Sequence, residues 1–425
     1  MRDEFFGQLV TAHDRGEPRG VTSVCSAHPY VIEAALRRGA VVGEAVLIEA
    51  TCNQVNQDGG YTGMTPEDFR IFVQNIAEKV GFPADRLILG GDHLGPNPWR
   101  HMPAEAAMEK AHVMITAFAK AGFTKIHLDA SMNCADDPMP LANEVIAQRA
   151  AALAATAEEH AGGRILSYVI GTEVPVPGGA TEHVDDLTPT PPQDAEGTVE
   201  LHRKAFDAAG IGSAFEQVIG LVVQPGVEFG HENVVLYKPD AARGLSAMRD
   251  QLSLTYEAHS TDYQSPEALA RLVEDGFAIL KVGPWLTFAM REALYGLDLI
   301  SEEMFGTSGL KSGMEALMVD EPSHWHRYYH GDGHAQRLQR HYSYSDRIRY
   351  YWATPEAQRL VKEMLGRFED KQIPETLISQ YLPLLWPEVV SGALMPQAKA
   401  LLLRAVEQVL DVYGNATAPA KRKLP

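Results

Sequence analysis

Two acid–histidine combinations stand out: Asp92-His93 at the end of RLILGGDH (86–93), and Glu257 with His259 in SLTYEAH (253–259). An imidazole beside a carboxylate can hold a divalent cation and move a proton next to it. Other short apolar runs also end in ionisable groups. Glu49 lies in AVLIEAT (45–51) and is followed by Asn53, Gln54, Asn56 and Gln57, while Glu173 closes ILSYVIGTE (165–173). His127, Asp129 and Ser131 alternate in KIHLDAS (125–131), and Lys281 sits in AILKVG (278–283). A period of two puts the first three on one face of a strand. The expected metal ligands are His93, Glu173 and His259, which leave a position open for substrate, with Glu228, His231 and Asp262 as substitutes. Asp92, Glu257, Glu49 and Asp129 are the candidate catalytic groups, and Asn53, Gln54, Asn97 and Lys281 the candidate substrate contacts. The alternative for Glu49, Asp129, Glu257 and Lys281 is an inert ion-pair network filling the interior.

These residues can meet only if the runs that carry them converge. Besides the six already quoted, VTSVCSAH (21–28) and VIGLVVQ (218–224) read as strands, which makes eight. Helix patterns lie between them, several opening on Thr-Pro or Ser-Pro and closing on glycine. Only 240–251 is short and ambiguous. Strands alternating with helices predict parallel pairing, and eight of them close a (β/α)8 TIM barrel with the site at the carboxyl ends of its strands. An open doubly wound sheet would be expected to carry a glycine-rich phosphate loop after the first strand, where this chain has SAHPYVIEA. The expected organisation is a barrel over 1–300, a C-terminal helical extension packed on it over 301–414, and a flexible tail at 415–425. The aperiodic stretch 173–197 reads as a lid or binding loop, or as a proline-stiffened decoration.

The chain has 425 residues and a formal charge of −19. No basic stripe offsets that charge, which argues against nucleic-acid and anionic-membrane partners. Three scattered cysteines fit neither a disulfide framework nor a CxxC metal site. With no apolar leader at the N-terminus, a cytoplasmic protein is expected, and a homo-oligomer is compatible with the sequence. GTSGLKSG (306–313) fails the G-x-x-x-x-G-K-[ST] pattern and follows no strand, so a P-loop kinase is not expected. His324, His326, His330, His334 and His341 lack the acid of an HExxH site. In YSYSDRIRYYW (342–352), Ser345 and Arg347 are candidate substrate contacts. This segment would close over the barrel mouth and place a guanidinium on a phosphate, or else form an aromatic-anchored helix with paired arginines.

Six segments carry a closer resemblance: IEATCNQVNQDGGYTGMTPEDFR, GGDHLGPNPW, KIHLDASM, YEAHSTDYQ, LKVGPWLTFAMREALY and YSDRIRYYW. Nearly end to end, the chain resembles the tagatose-bisphosphate aldolase Z-subunit family. The resemblance implies a barrel related to class II aldolases, a divalent metal with zinc first in line, and a phosphorylated ketohexose as substrate. It also implies a role in the breakdown of galactitol, N-acetylgalactosamine or tagatose 6-phosphate. Some members of the family support a separate class II aldolase catalytic subunit, and some relatives are ketose-phosphate 4-epimerases. By the same resemblance Asp92 is a proton-transfer acid and His93 and His259 are metal ligands. Gln224-Pro225-Gly226 stands where the wider superfamily has another histidine. Two functions follow. One is metal-dependent 4-epimerisation or aldol chemistry at C3–C4 of tagatose 6-phosphate or a similar sugar, with Lys281 or Arg347 on the phosphate. The other is a non-catalytic stabilising subunit of a tagatose-1,6-bisphosphate aldolase.

Overall fold

A parallel sheet whose neighbours are joined through helices curls until its first and last strands pair. The computed structural model describes residues 3–172 and 187–418. Its strands are β1 Val21–Val24, β2 Val46–Thr51, β3 Leu87–Leu94, β4 Lys125–Leu128, β5 Ser167–Ile170, β6 Val218–Val222, β7 Glu228–Phe229, β8 Val234–Val235, β9 Thr255–Ala258 and β10 Ile279–Val282. Eight of them close in the order β1-β10-β9-β6-β5-β4-β3-β2. The expected (β/α)8 barrel is therefore present, built from the eight apolar runs. β7 and β8 form a short antiparallel hairpin in the β6–β9 connection, too brief to show as a hydrophobic pattern.

Helix ends follow local chemistry. Thr65 caps the helix Pro66–Val80 in a reciprocal capping box with Asp68, and Ser265 caps Pro266–Glu274. The ambiguous segment 240–251 is mostly helical, as Pro239–Arg249. The helix after the long connection is Pro192–Ala208, so it begins inside the stretch expected to be loop. Residues 173–186 of that loop, Glu173 among them, lie outside the described residues.

Alternation along the strands stacks the interior in layers. At the bottom, Phe6 and Leu9 of the helix Glu4–Asp14 pack with Val21, Leu47, Val169, Ile219, Val222 and Ile279. Two residues further along their strands come Glu49 and Lys281, which meet Lys125 and Glu257 in an ionic layer. Two residues beyond Lys125 and Glu257 stand His127 and His259, at the catalytic rim. The helix Pro284–Phe305 follows β10 and runs on past residue 300. The C-terminal helix Ala398–Thr417 packs against it, against Pro29–Val42 and Pro266–Glu274, and against β1. It thus takes in the first three residues of the expected tail. No helix among the described residues is long and apolar enough to cross a membrane.

Two positions make testable statements about this frame. A Cβ on Gly95 would lie 1.6 Å from the carbonyl oxygen of Asp129, so β4 must shift to admit it. Gly95→Ala is expected to cost about 3 kcal/mol or more, measured by urea unfolding. His202 is fully buried, and burial pushes its pKa down to about 4 from an ordinary 6.5. The unfolded chain then binds the proton more readily than the folded one. His202 therefore leaves stability intact above pH 6.5 and lowers it as pH falls toward 4, by up to about 1.4 kcal/mol per pH unit. Comparing His202→Leu with the parent at pH 7 and pH 5 should show a smaller acid loss in the variant.

Candidate active site and metal centre

β3 carries an irregularity that opens the site. Its register against β4 shifts between Gly91 and Leu94, and His93 within the bulge adopts a left-handed φ of 50°. Adjacent strand residues normally face opposite sides, but this bulge turns both Asp92 and His93 into the barrel mouth. Such a backbone costs on the order of 1–3 kcal/mol and persists only where its surroundings enforce it. The enforcing contacts are ionic. Lys281 Nζ lies 2.5 Å from both Asp92 Oδ1 and Glu49 Oε2, and Lys125 Nζ lies 2.6 Å from Glu49 Oε1 and 2.7 Å from Glu257 Oε2. Burial pushes Lys281 down, but Asp92, Glu49 and Glu257 outweigh it and hold the ammonium well above its usual range. Burial likewise pushes Asp92 and Glu257 up, yet the neighbouring cations keep both carboxyls well below theirs.

Three imidazoles sit above this layer with ring centroids 4.9–5.2 Å apart: His93, His127 and His259. Each has a carboxylate on one nitrogen. His93 Nδ1 is 2.8 Å from Asp129 Oδ2, His127 Nδ1 is 2.8 Å from Asp92 Oδ1, and His259 Nε2 is 2.9 Å from Glu257 Oε1. An ionised carboxylate only accepts, so the nitrogens of His93 and His259 that face theirs carry the protons, and in the neutral rings the opposite nitrogens keep bare lone pairs. His127 Nδ1 is shared between the Asp92 carboxylate and the His93 backbone amide 3.2 Å away. This carboxylate–histidine pairing is how metal-binding imidazoles are oriented. His127 Nε2 is buried and has no hydrogen-bond partner. Ligand atoms of Asp92, His93, His127 and His259 all lie within 4.8 Å of one another. Charge points the same way, since the four carboxylates Asp92, Asp129, Glu49 and Glu257 face only two ammonium groups. The formal excess of two negative charges matches a divalent cation. His93 shows this pull: burial lowers its affinity for a proton, but Asp92 and Asp129 reverse that and raise it.

His93 and His259 open into a cavity of about 90 Å³, room for several waters, with His127 buried behind them. Its wall includes Asn53, Gln54, Asp92, His93, His259, Asp262, Lys281, Arg349 and Tyr350. The structure therefore brings Asn53, Gln54, Asp92, His93, His259 and Lys281 together at one mouth. Glu49, Asp129 and Glu257 lie beneath or behind it and contact the groups that line it. The ion-pair alternative thus describes the Glu49–Glu257–Lys281 layer well, while the space above stays open. Asn97, Ser345 and Arg347 are not in the cavity wall. Ser345 bonds Ser343, Tyr329 and His231. Arg347 donates to the His324 carbonyl and lies 3.4 Å from the centroid of the Tyr328 ring. Arg349 takes the place expected for Arg347. Gln224 at the end of β6 turns its carbonyl onto the amides of Gly226 and Val227, and the third imidazole comes instead from β4.

The family model for D-tagatose-1,6-bisphosphate aldolase subunit GatZ/KbaZ-like proteins matches residues 6–418. The chain belongs to this GatZ/KbaZ-like family. The D-tagatose 6-phosphate 4-epimerase of Agrobacterium fabrum is 56% identical over 416 residues, which is 96% of this chain and 97% of that protein. The crystal structure of a probable tagatose 6 phosphate kinase from Sinorhizobium meliloti is 55% identical and superposes with a TM-score of 0.88 over 94% of this chain and 100% of that one.

In this GatZ/KbaZ-like chain the candidate ligand absent from the expected set is His127. Its signal is the alternation of His127 with Asp129, which by itself gives only a shared face of the strand. The five histidines at 324–341 belong to no metal-sized group among the described residues. His341 instead bonds Tyr295 and contacts Glu315. Should the three imidazoles hold one cation, His127→Ala is expected to lower zinc affinity by roughly 100-fold. Zinc titration with a competing chelator checks this, and full retention of affinity would place the ion elsewhere.

Proposed function

We propose that this protein is a metal-dependent 4-epimerase of tagatose 6-phosphate, working by reversible cleavage of C3–C4. The observation that carries the reading is the cluster of three carboxylate-backed imidazoles beside an ionised Asp92, with His93, His259 and Asp92 lining one cavity. The chemistry of the donors, three imidazole nitrogens, suits zinc with a position left open for substrate. His93, His127 and His259 would hold the ion, which when bound supplies a positive charge to the substrate's carbonyl oxygen and lowers the cost of negative charge developing there.

The remaining steps fall to the chain's own groups. Asp92 accepts the proton of the C4 hydroxyl, and Lys281 keeps that carboxylate ionised until substrate arrives. As the proton leaves O4, the C3–C4 bond breaks and its electron pair moves onto C3 and the neighbouring carbonyl. The aldehyde fragment turns its other face, the bond re-forms, and the new alkoxide recovers a proton. Glu257 and Asp129, each bonded to a ligand histidine, are assigned to orienting rather than to proton transfer. Glu49 fixes the two lysines. Support for the substrate comes from the relative named as a D-tagatose 6-phosphate 4-epimerase, 56% identical across almost the whole chain.

A phosphate-loop kinase has no support at 306–313. The amides of Gly309 and Leu310 already donate to Asp298 Oδ1, and that of Lys311 to Asp298 Oδ2. The amide cradle a phosphate would need is filled by a carboxylate.

The test is NMR of tagatose 6-phosphate incubated with zinc-loaded protein alone, where signals of fructose 6-phosphate are expected. Asp92→Asn should lower kcat by about 100-fold to 10,000-fold. Its metal content, measured in parallel, separates lost proton transfer from a loosened His127. Turnover that appears only when a class II aldolase is added would establish the supporting-subunit role instead.

A further inference from the structure

Among the described residues, Arg349 is a cation without an anion. It is partly buried in the cavity wall, and its guanidinium donates to the carbonyls of Ser345 and Asp346 and to the Tyr350 hydroxyl, while lying 4.4 Å from the Tyr350 ring centroid. No carboxylate among the described residues forms an ion pair with it, and Asp346 and Asp262 act on it only from farther away. The other cation of the cavity, Lys281, is saturated by Asp92, Glu49 and Glu257. A guanidinium held rigid and partly desolvated but left unpaired costs free energy unless something anionic completes it.

The same side chain also lines a second, larger chamber of about 580 Å³, which shares Gln54, Tyr61 and Gly283 with the first. The lining of that chamber also includes Lys79 and Lys362. A substrate gripped at one end by the histidine floor must extend past Arg349 toward this chamber. We propose that Arg349 is the anchor for the phosphate monoester of the substrate, at the junction of the two cavities. This rests on the sugar-phosphate reading above and assigns that site its phosphate subsite. The planar fork matches phosphate oxygens, and packing on Tyr350 fixes its direction before the ligand arrives. It also answers how a chain with a formal charge of −19 attracts an anion, through one local, pre-aimed donor.

Two measurements decide it. Inorganic phosphate should bind zinc-loaded wild-type protein in calorimetry and inhibit tagatose 6-phosphate turnover competitively. Arg349→Met, which keeps a stem for packing on Tyr350, should raise KM for tagatose 6-phosphate by 30-fold or more with a smaller change in kcat, and guanidinium ion should restore part of the loss. Arg349→Lys serves if the methionine variant does not fold, and should weaken phosphate binding at least fivefold. Unchanged phosphate affinity in the folded variant, or a kcat loss with unchanged KM, would overturn the assignment. If the wild type turns over no tagatose 6-phosphate at all, the functional reading fails, while the calorimetric comparison with phosphate still decides the subsite.

Discussion

Two ammonium groups buried among three carboxylates decide what the top of this barrel can be. Lys125 and Lys281 lie in the middle of the fold, where an unpaired charge would be prohibitive, and Glu49, Glu257 and Asp92 are their carboxylate partners among the described residues. Breaking such a network by removing one member is far worse than its net contribution suggests, because the partner left behind stays buried. The network therefore works as a fixed platform. It holds Asp92 and Glu257 ionised and in place, and these two set the orientation of His127 and His259.

The platform also explains why a strained backbone survives above it. His93 reaches the mouth through a bulge and a left-handed φ, and Ser260, another non-glycine residue with positive φ, lines the same cavity. Asp129, reached from the next strand, locks the His93 ring from behind. Gly95 makes that possible, because the carbonyl of Asp129 occupies the volume its side chain would need. Packing, strain and electrostatics thus converge on one outcome: three imidazoles gathered within metal-binding distance of a carboxylate, where negative charge is in excess.

Across the mouth the logic reverses. The segment after the barrel brings Tyr350 and Arg349 over the opening, with Tyr61 packed edge-on to Tyr350 at 5.0 Å between centroids. A site with a cation-seeking floor and an anion-seeking wall suits a molecule with oxygen donors at one end and a phosphate at the other. The likeness to the GatZ/KbaZ-like family covers both halves, since the family model extends from residue 6 to residue 418.

The sequence by itself determined the architecture and the inventory. Eight apolar runs separated by capped helices leave few ways to bury their surfaces, and period-two alternation put Asp92, His93, Glu257, His259 and Lys281 at strand ends where a barrel gathers them. Long motifs such as GGDHLGPNPW and YSDRIRYYW carried the family. Tertiary structure decided the assignments within that inventory. That His127 rather than a β6 residue stands beside His93 and His259, that Asp129 and Glu257 each bond one of these imidazoles, and that Arg349 rather than Arg347 lines the cavity all depend on the barrel's stagger and on a bulge. Periodicity says which face a residue shares with its own strand. It cannot say how far one strand slides past the next, and ligand geometry is set by that displacement.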